Sequence, residues 1–189
     1  LDATPEEAAR YGALAGKIYA DNFGASIDEV ADAMQGVIQN IEGVGQAQDP
    51  VNERATKKAL TFANESNQDV AKATGAVGQM VRTGIAKDFD EAFDILAVGF
   101  SNGANKADDL LDTFNEYSTQ FARMGITGQQ ALGMISQAVK AGARDADVAA
   151  DALKEWAIKV REPMRESAGD IEGAARRVRD AHRSVADSH

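Results

Sequence analysis

Cysteine is absent from the 189-residue chain, which removes disulfide frameworks, thiolate zinc sites and cysteine nucleophiles together. Proline is scarce, with three residues at positions 5, 50 and 163, and aromatics make up only 6%. A core must therefore be packed mostly from Ala, Val, Leu, Ile and Met. Positive charge is in short supply. Twenty Lys and Arg stand against 30 Asp and Glu, giving a net charge of −10 and a pI near 4.7. Such a surface repels a phosphate backbone, which argues against sequence-independent nucleic-acid binding. No stretch approaches the ~18 uninterrupted apolar residues of a membrane span; the best run, Phe93 to Phe100, is broken by Asp94. The N-terminal residues lack the basic and apolar regions of a signal peptide. The first residue is Leu, so the chain is expected to be a piece of a longer or processed product.

What is present is helical punctuation. Thr4-Pro5-Glu6-Glu7 places a capping hydroxyl before a proline, with Glu three positions after the cap. Ser26 with Glu29, Asp88 with Glu91 and Thr127 with Gln130 repeat that spacing, and Asp49-Pro50 and Asp145 read as further starts. These side chains accept from N–H groups that the first turn leaves unpaired. Glycines at 43, 84, 103, 125 and 142 are placed to end helices in the left-handed conformation. Between these marks apolar residues recur at three and four, as in Ile27, Val30, Met34, Val37 and Ile41, or Leu110, Phe114, Tyr117, Phe121 and Met124. Strand-length alternation is missing, and no Asn-Gly or Asp-Gly pair joins two alternating runs as a hairpin turn would; Asn102-Gly103 follows helical spacing. The reading is all-α, with about eight short antiparallel helices of roughly 13–18 residues, followed by a longer, charged C-terminal helix.

An internal repeat accompanies this pattern. At one constant offset, Glu91–Leu96 falls on Gln130–Ile135, and Gly103–Asp108 falls on Gly142–Asp147. Upstream, Gln79–Ile85 resembles Gln120–Ile126 in a different register. A helix–turn–helix unit that repeats at roughly 40 residues marks stacked helix pairs, each burying its face against the next. The last part differs in character. Residues 159–189 hold seven Lys and Arg against six Asp and Glu, leaving −11 for residues 1–158. Ile171, Ala174, Val178, Ala181 and Val185 take heptad-like positions. The expected division is a compact module over 1–160 and a heptad-like helix over 161–189 that continues into a longer coil. Ile171, Val178 and Val185 are the candidates for self-association.

Candidate chemistry is sparse. His182 and His189 lie seven apart, without the spacing of a helical metal pair. Asp88-Phe89-Asp90-Glu91, Asp108-Asp109 and Asp145-Ala146-Asp147 lack the glycine and bidentate Glu of a calcium loop. They suit helix starts, where acids meet the positive end of the macrodipole. No phosphate-binding or dinucleotide glycine pattern is present. Phe114, Tyr117 and Phe121 read as core rather than a ligand cage. Catalytic residues, metal ligands and cofactor sites: none is assigned, and the chain is expected not to be an enzyme.

Several strings carry a family resemblance. They are Ile18-Tyr19-Ala20-Asp21-Asn22-Phe23-Gly24, Gln79-Met80-Val81-Arg82-Thr83-Gly84 and Leu111-Asp112-Thr113-Phe114-Asn115-Glu116-Tyr117. More specific are Gln120-Phe121-Ala122-Arg123-Met124-Gly125-Ile126 and Lys140-Ala141-Gly142-Ala143-Arg144-Asp145, closed by Asp151-Ala152-Leu153-Lys154-Glu155-Trp156. From Ala13 to Val160 the chain resembles the helical segment of phage tail tape measure proteins of siphophages and related prophages. That resemblance implies a structural virion protein that runs through the tail lumen or sits at its tip, and sets tail length during assembly in the host cytoplasm. It also implies release as DNA is ejected, with contact to the host envelope. The implied partners are further copies of the chain, tail tube and tail tip proteins and tail assembly chaperones, with DNA met only indirectly. Beyond Val160 the sequence departs from the family's usual continuation.

A ruler and a stack of short helices make opposite demands on the chain. A continuous α-helix of this length would span roughly 280 Å, as suits a ruler, whereas the glycine stops fold helices back on each other. A compact module inside a longer ruler reconciles them. The rival expectation is a non-enzymatic helical-repeat adaptor that binds a partner helix or peptide.

Overall fold

Helix ends, more than helix interiors, set the architecture. The structure is a computed structural model that describes residues 4–45 and 48–160, together with 172, 173 and 176. Seven helices follow in order: α1 (Pro5–Ala20), α2 (Ile27–Asn40), α3 (Asp49–Ser66), α4 (Val70–Arg82), α5 (Phe89–Ser101), α6 (Leu110–Met124) and α7 (Gly128–Lys140). Residues 146–160 are also helical, and the described residues contain no strand. The chain divides into two compact units, Leu1–Asp151 and Ala152–His189. The expected heptad-like helix, with Pro163, Ile171, Val178 and Val185, lies outside the described residues.

The starts are capped as their side chains require. Thr4 and Thr127 form reciprocal capping boxes with Glu7 and Gln130. Ser26, Asp88 and Asp145 accept from the N–H three positions on. Two starts differ from expectation. α3 is capped by Gln48, without a side-chain bond, so Asp49 and Pro50 are its first two helical residues. α4 begins at Asp69, which accepts from Lys72 N–H at 2.9 Å. Asp109 does not cap its own helix; the free N–H of Leu110 donates to Asn105 Oδ1 at 2.9 Å.

The stops share one device. Six helices end on a left-handed residue, with the next N–H reaching five positions back to a carbonyl. Phe23 donates to Ile18, Gln68 to Ala63, Ile85 to Met80, Ala104 to Gly99, Ile126 to Phe121 and Ala143 to Ala138. This is the Schellman arrangement. The left-handed residue is Gly84, Gly103, Gly125 or Gly142 in four cases and Asn22 or Asn67 in two. α2 alone among these seven ends otherwise: Ile41 turns extended and Gly43 takes its positive φ two positions later.

Recurring ends make the repeat physical. The step from the cap Asp88 to the cap Thr127 equals the step from the stop Gly103 to the stop Gly142, as the sequence offset requires. Beyond Gly142 the offset shortens. The turn from Gly103 to Asp109 is longer than that from Gly142 to Asp145, so the following helix starts early relative to the constant offset. Each helix packs on those one and two places away in the chain: α1 on α2 and α3, α2 on α3 and α4, and so on to α7. The odd helices thus form one row and the even helices another, the connectivity of stacked helix pairs. The fourth residue after the cap turns inward at seven successive starts: Val30, Asn52, Ala73, Ala92, Thr113, Ala131 and Ala149 are all buried.

Candidate interaction surface

The seams between successive odd helices run over one face, and their chemistry changes along the row. α1 and α3 are laced by ion pairs: Arg10–Asp49 at 3.2 Å, Lys17–Glu53 at 2.7 Å and Lys57 to Asp21, at the end of α1, at 2.6 Å. Glu53 receives Lys17 and Lys57 together, and these hydrogen bonds hold its carboxyl below the usual range. Lys57 is raised, first by Asp21 and then by Glu53. Between α3 and α5 the lacing continues, with Arg54–Asp90 at 3.1 Å, Lys58–Asp90 at 3.3 Å and Lys58–Asp94 at 2.7 Å.

Between α5 and α7 the chemistry turns apolar. A groove of about 420 Å³ has Ile95, Val98, Leu132 and Gly133 among its lining residues, with Asp94, Asn102, Gln129, Ser136, Gln137 and Lys140 around them. Val98 is 49% exposed. The helices come close here because Gly99 has no side chain: a Cβ would lie 2.6 Å from Leu110 and 2.9 Å from Leu132. In the second unit, Trp156, Ile158 and Val160 are exposed, Trp156 by 62%.

The even row is joined by polar contacts and close approach. Asn40 Nδ2 donates to Thr74 Oγ1 at 3.0 Å between α2 and α4. Lys72–Asp112, at 2.7 Å, and Gln79 Nε2 to Thr119 Oγ1, at 3.3 Å, join α4 to α6. Asp108, left-handed at φ 60, accepts from Asn105 and from Gln68, and both bonds lower its pKa. Asp109 Oδ2 accepts from Asp147 N–H at 2.8 Å, which links the start of α6 to the start of the helix over 146–160.

The acidic strings considered for calcium have these structural duties. Asp88 caps α5, Asp90 pairs with Arg54 and Lys58, and Asp145 caps the helix over 146–160. The Val148 N–H, then Arg144, lower the Asp145 pKa. No group of three or more potential metal ligands converges among the described residues. His182 and His189 lie outside them. The hydroxyls of Thr56, Thr74, Thr113 and Ser118 donate to carbonyls of their own helices. Phe114, Tyr117 and Phe121 are buried, with the Phe121 ring centroid 6.0 Å from Phe114 and 6.3 Å from Tyr117, and so are core. No helix among the described residues is long and apolar enough to cross a membrane. The α5–α7 groove is a feature that the sequence reading did not single out.

Comparison with known proteins gives these features a setting. A family model described as phage-related minor tail protein matches residues 15–186. A protein of Streptomyces phage phiC31, described as a probable tape measure protein, is 52% identical over 77 residues. The matched stretch is 41% of this chain and 11% of that relative, so the chain spans a small part of the relative's length. No solved structure matches.

Proposed function

We propose that the chain, which belongs to the phage-related minor tail protein family and so has a structural role in the phage tail, is a folded module of a tape measure protein that helps to set tail length. The observation that carries this reading is the 52% match to a probable tape measure protein. The stacked helices suggest how such a module contributes. Four odd-row helices at a spacing of ~8–10 Å cover roughly 40 Å, against roughly 280 Å for the whole chain as one continuous helix. The module therefore adds little to a ruler's length and acts as a folded block within it, at the tail tip or in the lumen. Its partners in this reading are further copies of itself, tail tube and tip proteins and, in the host cytoplasm, assembly chaperones. It leaves the tail when DNA is ejected and performs no catalysis.

In-frame deletion of residues 1–160 from the parent gene, with tails measured by electron microscopy, tests this. Tails shortened by about 40 Å, or aborted tails, are the expected results. Shortening by roughly 240 Å, the length of the deleted segment as one helix, would show that the segment works extended. Infectious particles with tails of unchanged length would overturn the ruler role and favour a second reading, a non-enzymatic adaptor. The α5–α7 groove, with Val98 half exposed, is the observation that favours that alternative.

A further inference from the structure

We propose that α1 and α2 form an arm that opens as a unit from the rest of the stack, and that its docking weakens as ionic strength rises. The inference goes beyond the tail role and does not depend on it. Three observations converge on it.

First, the arm has its own core. Of seven residues in one buried apolar cluster, six belong to the arm: Leu14, Ala15, Ile18, Val30, Ala33 and Met34. Only Leu60 comes from α3. Tyr11 Oη donates to the Gly45 carbonyl at 3.1 Å, tying α1 to the turn that follows α2.

Second, the arm meets its neighbours through small and polar groups. Gly36 of α2 faces Thr74 of α4, where a Cβ would lie 2.9 Å from the hydroxyl oxygen. Gly78 of α4 lies against the backbone of Asn40, with a Cβ position 1.9 Å from the carbonyl oxygen. Close backbone approach of this kind buries little apolar area at these two points, although Val37 of α2 and Ile41 at its end are themselves buried. Asn52 of α3 is fully buried, yet neither Nδ2 nor Oδ1 of its side chain has a hydrogen-bond partner among the described residues. The equivalent positions of α5 and α7 hold Ala92 and Ala131. An unpaired buried amide on α3, the helix that packs on both arm helices, is a cost of the folded state.

Third, the α1–α3 seam is ionic and wet. At the side chain Lys17 is 61% exposed, Asp49 48%, Asp21 45% and Arg10 43%. Exposed pairs of this kind are screened by salt. Opening would therefore uncover the inner faces of α1 and α2 while α5 and α6, with Phe93, Leu96, Phe114 and Phe121 buried, stay closed.

Native-state hydrogen exchange on the whole chain, followed by mass spectrometry at 0.05 and 0.5 M NaCl, tests the arm. The expected result is exchange in α1 and α2 at least about tenfold faster than in α5 and α6. High salt should raise the arm's exchange about threefold and raise that of α5 and α6 less, because their ion pairs flank buried Phe93, Leu96, Phe114 and Phe121. Equal protection across all four helices, or no response of the arm to salt, overturns the proposal. Asn52→Ala supplies an independent reading: slower exchange in the arm is expected, and faster exchange would show that Asn52 makes a favourable contact and contradict the weak seam.

Discussion

Two joints of the even row have the same topology and different cohesion. α2 meets α4 where Gly36 and Gly78 admit a threonine and a backbone carbonyl, with Asn40 Nδ2 donating to Thr74 Oγ1 and Arg82 Nη2 donating to the Asn40 carbonyl across the joint. α6, which packs on α4 in the same manner, brings Leu110, Leu111, Phe114 and Phe121, all buried. Helix ends thus repeat the geometry, while the side chains between them decide how firmly each joint holds. Glycine contact fixes where helices sit, and large apolar side chains supply most of the free energy.

Taking weight out of the firm joint should do the most damage. Phe121→Ala deletes a fully buried ring that lies 6.0 Å from Phe114 and should cost about 3–5 kcal/mol. Denaturant titration should show the loss in the cooperative unfolding of α4 to α7. The glycine joint is probed by Gly78→Ala. The new methyl meets the Asn40 carbonyl, so a net loss of roughly 1–3 kcal/mol is expected despite the better helix propensity of Ala. A gain in melting temperature would show that the joint has slack.

Helix ends, common to both regions, come next. Gly103→Val forces a β-branched residue to φ 77 and should cost about 1–2 kcal/mol; unchanged melting would remove Gly103 from the shared stop. Acidification should act more weakly still. Glu7, Glu53, Asp108 and Asp145 are all held below their ordinary values. The unfolded chain therefore takes up protons first as pH falls. Their contribution is complete above the ordinary carboxylate range of about 4 and disappears as pH drops through the folded values. Lys57 and Lys72 are raised, so theirs is complete below about 10 and is lost at higher pH. A melting-temperature profile flat across neutrality and falling on the acid side is the expected result; a rise on acidification would contradict these assignments.

Much of the fold was legible because caps and stops are local. Thr4, Ser26, Asp88, Thr127 and Asp145 act within three positions of themselves, and the sequence displays both partners. The start at Asp69 was hidden because Lys72 stands where an acid or amide would complete the box, inside the polar run Ser66-Asn67-Gln68-Asp69. Asn22 and Asn67 were missed as stops because attention to glycine overlooks asparagine, whose short polar side chain also tolerates the left-handed region. The seams were not legible at all. Lys17 finds Glu53, and Lys58 finds Asp94, far along the chain in both cases, and periodicity does not reveal which helices become neighbours two places along. The family resemblance, carried on strings such as Gln120–Ile126, agrees with the family that matches the chain. The residues chosen for self-association, Ile171, Val178 and Val185, fall outside the described part.

A folded stack inside the assembled tail can be told directly from an extended one. The absence of native cysteine in the segment allows Lys58→Cys and Asp94→Cys to be placed together in the parent protein, with a short bis-maleimide added to purified tails. These side chains meet across the α3–α5 seam at 2.7 Å, so an intramolecular cross-link is expected in assembled tails as well as in the free protein. Cross-linking in the free protein, with none in the tail, would mean that the stack is pulled open on assembly and would contradict a folded block within the ruler.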